Sequence, residues 1–102
     1  MTMGTSLPFR PAGTASVAAS ASAATTALPG GGSAVLVFNA AASVAFVRFG
    51  TDSSVTAGTG DVPVPAGQRM LIDAGPFVTH GSALLASGSG SVYFIRGDGT
   101  AY

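Results

Sequence analysis

The chain has 102 residues, enough for one small domain, with 47% hydrophobic residues, 8% charged residues and a formal net charge of zero. Its cations are Arg10, Arg48, Arg69 and Arg96, its anions Asp52, Asp61, Asp73 and Asp98; lysine, glutamate and cysteine are absent. These numbers exclude a basic nucleic-acid-binding face, a disulfide framework and thiolate chemistry, and no apolar run reaches the ~18–20 residues of a membrane span.

A typical soluble domain is about 25% charged. A chain this poor in charge is expected to have much of its surface covered by other protein. Residues 1–13, "MTMGTSLPFRPAG", carry two prolines and two glycines. They are expected to form an extended arm, packed on a neighbouring subunit, with Phe9 as its apolar anchor and Arg10 beside it. Residues 14–28 are nearly all Ala, Ser, Thr and Val. Alanine favours helix, but no large apolar stripe recurs at helical spacing, and Ser and Thr compete for backbone hydrogen bonds. The stretch therefore reads as strand, with side chains small enough for close approach to another sheet or subunit. It lacks the leucine-rich segment of a signal peptide. "PGGG" at 29–32 breaks the chain.

Beyond residue 32, short apolar runs alternate with turn signals. Strands are predicted at 33–40, 43–50, 53–57, 68–74, 78–86 and 91–97. Turns fall at "GTGD", "PVPAGQ", "AGP", "SGSGS" and "RGDGT". The predicted architecture is all-β: a single small β-sandwich, jelly-roll-like, over residues 14–102, preceded by the arm.

Alternation places Val44, Phe46 and Arg48 on one face of their strand, Arg69, Leu71 and Asp73 on one face of theirs, and Val92, Phe94 and Arg96 on one face of the last. Each face mixes one arginine with bulky apolar neighbours, the composition of protein–protein contact surfaces. Phe9, Arg10, Arg48, Arg69 and Arg96 are therefore the candidate interface residues. Read singly, each arginine also fits a strand-end side chain whose stem lies on the sheet and whose head reaches water. The Arg48 head is expected to reach a carboxylate or backbone carbonyls at a sheet rim, with Asp52 or Asp73 as candidate partners and a group on a second subunit equally allowed.

Reactive chemistry finds little support. His80 is the only histidine, so a metal site built on histidine and cysteine has no ligand set. The aspartates sit in predicted turns or at strand ends, where they cap turns. No serine occupies a Gly-x-Ser-x-Gly elbow. The glycines of 58–67 precede no predicted helix that could hold a phosphate. "RGD" at 96–98 matches an integrin-binding tripeptide and equally makes a plain turn after the last strand. No catalytic residue, cofactor or metal is expected.

Residues 36–75 hold an asparagine-ended strand (Asn39), a turn of small residues, "VAFVRFG", a polar loop and "VPVPAG"; the chain closes with "GSGSVYFIRGDG" at 88–99. In these phrases, which span most of the chain after residue 14, it resembles small virion proteins of tailed bacteriophages. The resemblance implies a decoration (cement) protein of the capsid, or a small part of the head–tail or tail apparatus. The implied partners are the major capsid protein or another virion protein, and further copies of the chain. Nucleic acid and membrane are not among them. The implied location is the phage particle, after synthesis in the bacterial cytoplasm. The rival reading is a receptor- or carbohydrate-binding β-sandwich, for which the absence of Trp and the presence of only two Tyr leave few stacking platforms.

Overall fold

The structure is a computed structural model and describes residues 8–99. Eight strands follow in chain order: β1 (Arg10–Ser20), β2 (Ala24–Ala27), β3 (Ala34–Asn39), β4 (Ala45–Gly50), β5 (Val62–Val64), β6 (Arg69–Asp73), β7 (His80–Leu85) and β8 (Ser89–Asp98). Among the described residues there is no helix. Two four-stranded antiparallel sheets form, ordered β1-β8-β3-β6 and β2-β7-β4-β5. The first strand pairs with the eighth, the second with the seventh, the third with the sixth and the fourth with the fifth. The chain thus doubles back once, at the loop between β4 and β5. Every other connection carries it from one sheet to the other.

Alternation explains the layering. In β3, Val35 and Val37 point inward and are fully buried, whereas Leu36 and Phe38 are half-buried on the outer side. Val17, Ala19, Val92 and Phe94 join them from the first sheet and meet Ala45, Val47, Val64, Ala83 and Leu85 of the second. Phe49 closes one end of this core, edge-on to Phe94 with ring centroids 5.6 Å apart. The predicted all-β fold and its two packed sheets are therefore present.

The expected arm is only partly within the described residues, since 1–7 lie outside them. Residues 10–13 belong to β1, where Arg10 faces Asp98 and Pro11 faces Gly97 across β8, and the register shifts between Pro11 and Gly13. A proline is tolerated there because β1 is an edge strand, with one side that needs no ladder donor. The structure seats Phe9 within its own chain: a Cβ built on Gly97 would stand 2.9 Å from the tip of the Phe9 ring. Glycine at 97 makes that contact possible.

The predicted strand at 53–57 does not form. Asp52 closes a turn instead, accepting hydrogen bonds from the Ser54 backbone N–H (2.9 Å) and from the Ser54 hydroxyl. The segment beyond it is held by side chains rather than by a ladder: Thr25 donates to the Val55 carbonyl and the Ala57 N–H donates to Ser82 Oγ. The strand lies further on, at β5, overlapping the start of the "PVPAGQ" stretch read as a turn. Its place at a sheet edge accommodates Pro63. The run 14–28 divides into β1 and β2 where the Ser20 hydroxyl binds the Ser22 backbone in a local turn.

One buried polar side chain ties the lower end of the sandwich. Asn39 is fully buried, its Nδ2 donates to the carbonyls of Ser43 (2.8 Å) and Val64 (3.0 Å), and its Oδ1 accepts from the Ala41 N–H (2.9 Å). It thereby joins the end of β3, the corner leading to β4, and β5 of the opposite sheet.

Candidate functional site

The three arginine-bearing faces have three different fates. The face of β8 that carries Arg96 points into the sandwich. Arg96 is 2% exposed, which corrects its reading as a contact-surface residue. Its guanidinium donates only to backbone carbonyls: Nε to Gly32 (2.8 Å), one terminal nitrogen to Val78 (2.6 Å), the other to Gly75 (3.1 Å) and Pro76 (3.3 Å). A buried cation is tolerable when each donor is satisfied, and the fork shape of arginine lets one side chain serve several carbonyls.

Three of those carbonyls, of Gly75, Pro76 and Val78, flank Phe77 on both sides. Phe77 sits in the β6–β7 loop and is 82% exposed, the most open large apolar side chain among the described residues. Gly75 supplies a positive φ of 89° at the entry of this loop, a conformation ordinary side chains rarely adopt. Pro76 then restricts the backbone immediately before Phe77. The result is an aromatic ring presented to solvent on a loop that Arg96 grips from inside.

The second face is the outer side of the β1-β8-β3-β6 sheet. Thr14, Leu36, Phe38, Arg69, Tyr93 and Ile95 line an open groove of about 460 Å³ there. Phe38 and Tyr93 lie side by side, nearly parallel, with centroids 6.1 Å apart. Arg69 therefore stands on an apolar surface, as its strand pattern suggests.

The third face, the outer side of β4, places Arg48 at the rim with 59% of its side chain exposed, 3.9 Å from Asp61. A carboxylate partner was expected for Arg48, but Asp52 and Asp73 were the candidates. Asp52 is already engaged by Ser54, and the β4–β5 loop brings Asp61 back instead. An exposed pair at this distance contributes little to stability. Arg10 lies exposed at the start of β1, opposite Asp98, which accepts from the Ser33 backbone N–H (3.1 Å).

The hydrogen bonds from the Ser54 hydroxyl and then its backbone N–H lower the Asp52 pKa below the ordinary carboxylate value, with a smaller contribution from the charge of His80. A depressed carboxylate pKa stabilises the folded loop above the unfolded pKa of about 3.9, and that support is lost as pH falls through the folded value. Ser54→Ala is expected to move the Asp52 pKa upward, read by carboxyl-carbon NMR titration; an unchanged midpoint would contradict this assignment.

His80 meets the Thr79 hydroxyl through Nδ1 at 2.8 Å. Among the described residues, no group of three or more His, Cys, Asp or Glu side chains comes together to hold a metal. Comparison with known proteins finds no matching family model, no matching curated protein and no matching solved structure.

Phe77 was not singled out from the sequence, although "AGPFVTH" does place a bulky apolar residue at the tip of a turn-forming stretch. The role of Arg96 had no local signal, because the carbonyls it binds lie about 20 and 64 residues away.

Proposed function

We propose that the chain is a structural protein of a tailed-bacteriophage particle, a decoration protein that stabilises the capsid shell through contacts made in many copies. The observation that carries the contact role is Phe77: a large aromatic ring held out in water on a braced loop is pre-organised, so a partner that buries it gains apolar contact with little ordering cost. The fold proposed for this role is a jelly roll. In support, the strand order β1-β8-β3-β6 over β2-β7-β4-β5 is that of a doubled-back ribbon wrapped into two sheets, an architecture used by viral capsid and lectin domains. The phage assignment itself rests on the resemblance of residues 36–75 and 88–99. A place in the head–tail or tail apparatus uses the same contacts on a different partner.

Phe77→Ser is the direct test. Because the ring is exposed, the substitution is expected to leave stability within about 0.5 kcal/mol of the parent. Loss of a buried aromatic anchor costs about 2 kcal/mol or more in binding, roughly a thirtyfold weaker complex. Co-sedimentation with shells of the same phage measures it. Equal sedimentation of parent and Phe77→Ser would remove Phe77 from the contact.

A second reading, a glycan-binding module, is favoured by one feature, the open groove beside Phe38 and Tyr93. Binding of a glycan to the parent chain and its loss in Tyr93→Ala would support that reading.

A further inference from the structure

The outer face of the β1-β8-β3-β6 sheet carries a charge pattern that shell binding alone does not require. Strand register arranges this face in rows. Leu71, Leu36 and Ile95 lie side by side in the middle row; Arg69, Phe38 and Tyr93 form the row on one side, and Asp73, Ala34 and Gly97 the row on the other. Along edge strand β6 the face therefore reads positive, apolar, negative: Arg69, Leu71, Asp73, with both charged residues exposed. At about 3.3 Å per residue the two charges stand roughly 13 Å apart, with Leu71 midway.

Such a strand is its own complement when laid antiparallel over a copy of itself. We propose that this face binds a second copy of the chain across a twofold axis, with Leu71 near the axis. Arg69 then faces the partner subunit's Asp73, and Asp73 faces the partner subunit's Arg69. The proposal rests on the reading of the chain as a many-copy structural protein and names one of its contacts. Twofold contacts use the same patch on both subunits, so a self-complementary charge pattern is what one requires. Leu36, Phe38, Tyr93 and Ile95 bring apolar surface to the same contact, and two twisted sheets pack face to face at ordinary sandwich spacing. The only charged residues in the three rows are Arg69 and Asp73, and the twofold pairs both. A glycan or an unrelated protein has no reason to match this arrangement.

The test exchanges charges on the full chain and reads self-association by sedimentation and native mass spectrometry. The parent is expected to dimerise. Asp73→Arg places two positive charges on β6 and Arg69→Asp places two negative ones; each alone is expected to weaken the dimer at least about tenfold, because like charges then meet at both ends. Mixed in equal amounts, the two variants are expected to form a one-to-one heterodimer. The double variant Arg69→Asp with Asp73→Arg, neutral overall like the parent, is expected to form a homodimer again. Tyr93→Glu, on β8 of the same face, is expected to weaken the dimer independently of β6.

A parent that dimerises while the single charge variants and Tyr93→Glu dimerise equally well would overturn this interface and leave the many-copy reading standing. So would a double variant that stays monomeric although folded. A parent that is monomeric at every concentration, including one that binds a glycan in the groove, would overturn the twofold contact. Shell binding, measured separately with Phe77→Ser, decides the wider reading.

Discussion

Arg96→Met is expected to destabilise the fold by about 3–4 kcal/mol, a large share of the 5–15 kcal/mol typical of a domain. Methionine fills much of the same space and leaves no unpaired charge, so the loss isolates the hydrogen bonds. Four carbonyls, those of Gly32, Gly75, Pro76 and Val78, lose a cationic donor at once. A hydrogen bond to a charged group contributes roughly 1.5–3 kcal/mol, and water entering at the loop recovers part of the total. Arg96→Lys keeps the charge but not the fork. One ammonium cannot reach both the Gly32 carbonyl and those around Phe77, so about half the loss is expected to remain. Urea unfolding measures both variants, and amide exchange at residues 75–79 is expected to quicken most, because those carbonyls are what the guanidinium holds. A loss below about 1 kcal/mol for Arg96→Met would mean that the loop is braced by something else.

Asn39→Ala is expected to cost about 3 kcal/mol by a different route. The side chain makes three hydrogen bonds from a fully buried position, two as donor and one as acceptor. Truncation strands the carbonyls of Ser43 and Val64 and the N–H of Ala41, and each stranded buried group costs roughly 1–3 kcal/mol unless water reaches it. Asn39→Asp keeps the shape but exchanges the Nδ2 donor for a second acceptor, so both donations become repulsive contacts with carbonyls. It is expected to be less stable than Asn39→Ala near neutral pH. Urea midpoints for the two variants check the order; an Asn39→Asp protein as stable as the parent would contradict the hydrogen-bond assignment.

These two side chains also mark where sequence patterning stops being informative. Period-two alternation identifies β3, β4 and β8 because each has a more buried and a more open face, whereas β6 is half-buried through its middle with exposed ends. Alternation says nothing about which sheet a strand joins, and so the nested pairing from β1·β8 to β4·β5 was not legible. Residues 53–57 look like a strand by composition, yet Asp52 and Ser54 capture the backbone in a turn first. Val62–Val64 looks like a turn because of Pro63 and the Pro65 that follows, yet an edge position removes the need for one donor. Arg96 shares a strand face with Val92 and Phe94, and by composition a charge among them suggests a contact surface. The face is the core side, because distant loops supply the carbonyls that make the charge tolerable. By contrast, Arg48 and Arg69, on strands of the same mixed pattern, stand on outer faces. Phe9 needed knowledge of Gly97, 88 positions later, to be placed on its own chain.

The role proposed for this chain is to cover and join other protein on a phage particle. A cryo-EM reconstruction of shells from the same phage, incubated with the purified chain, tests it most directly. The expected result is extra density repeated over the shell lattice, each unit fitting the two four-stranded sheets, with the β6–β7 loop and Phe77 at the shell contact. Shells that remain bare at saturating concentrations of a folded chain would contradict it.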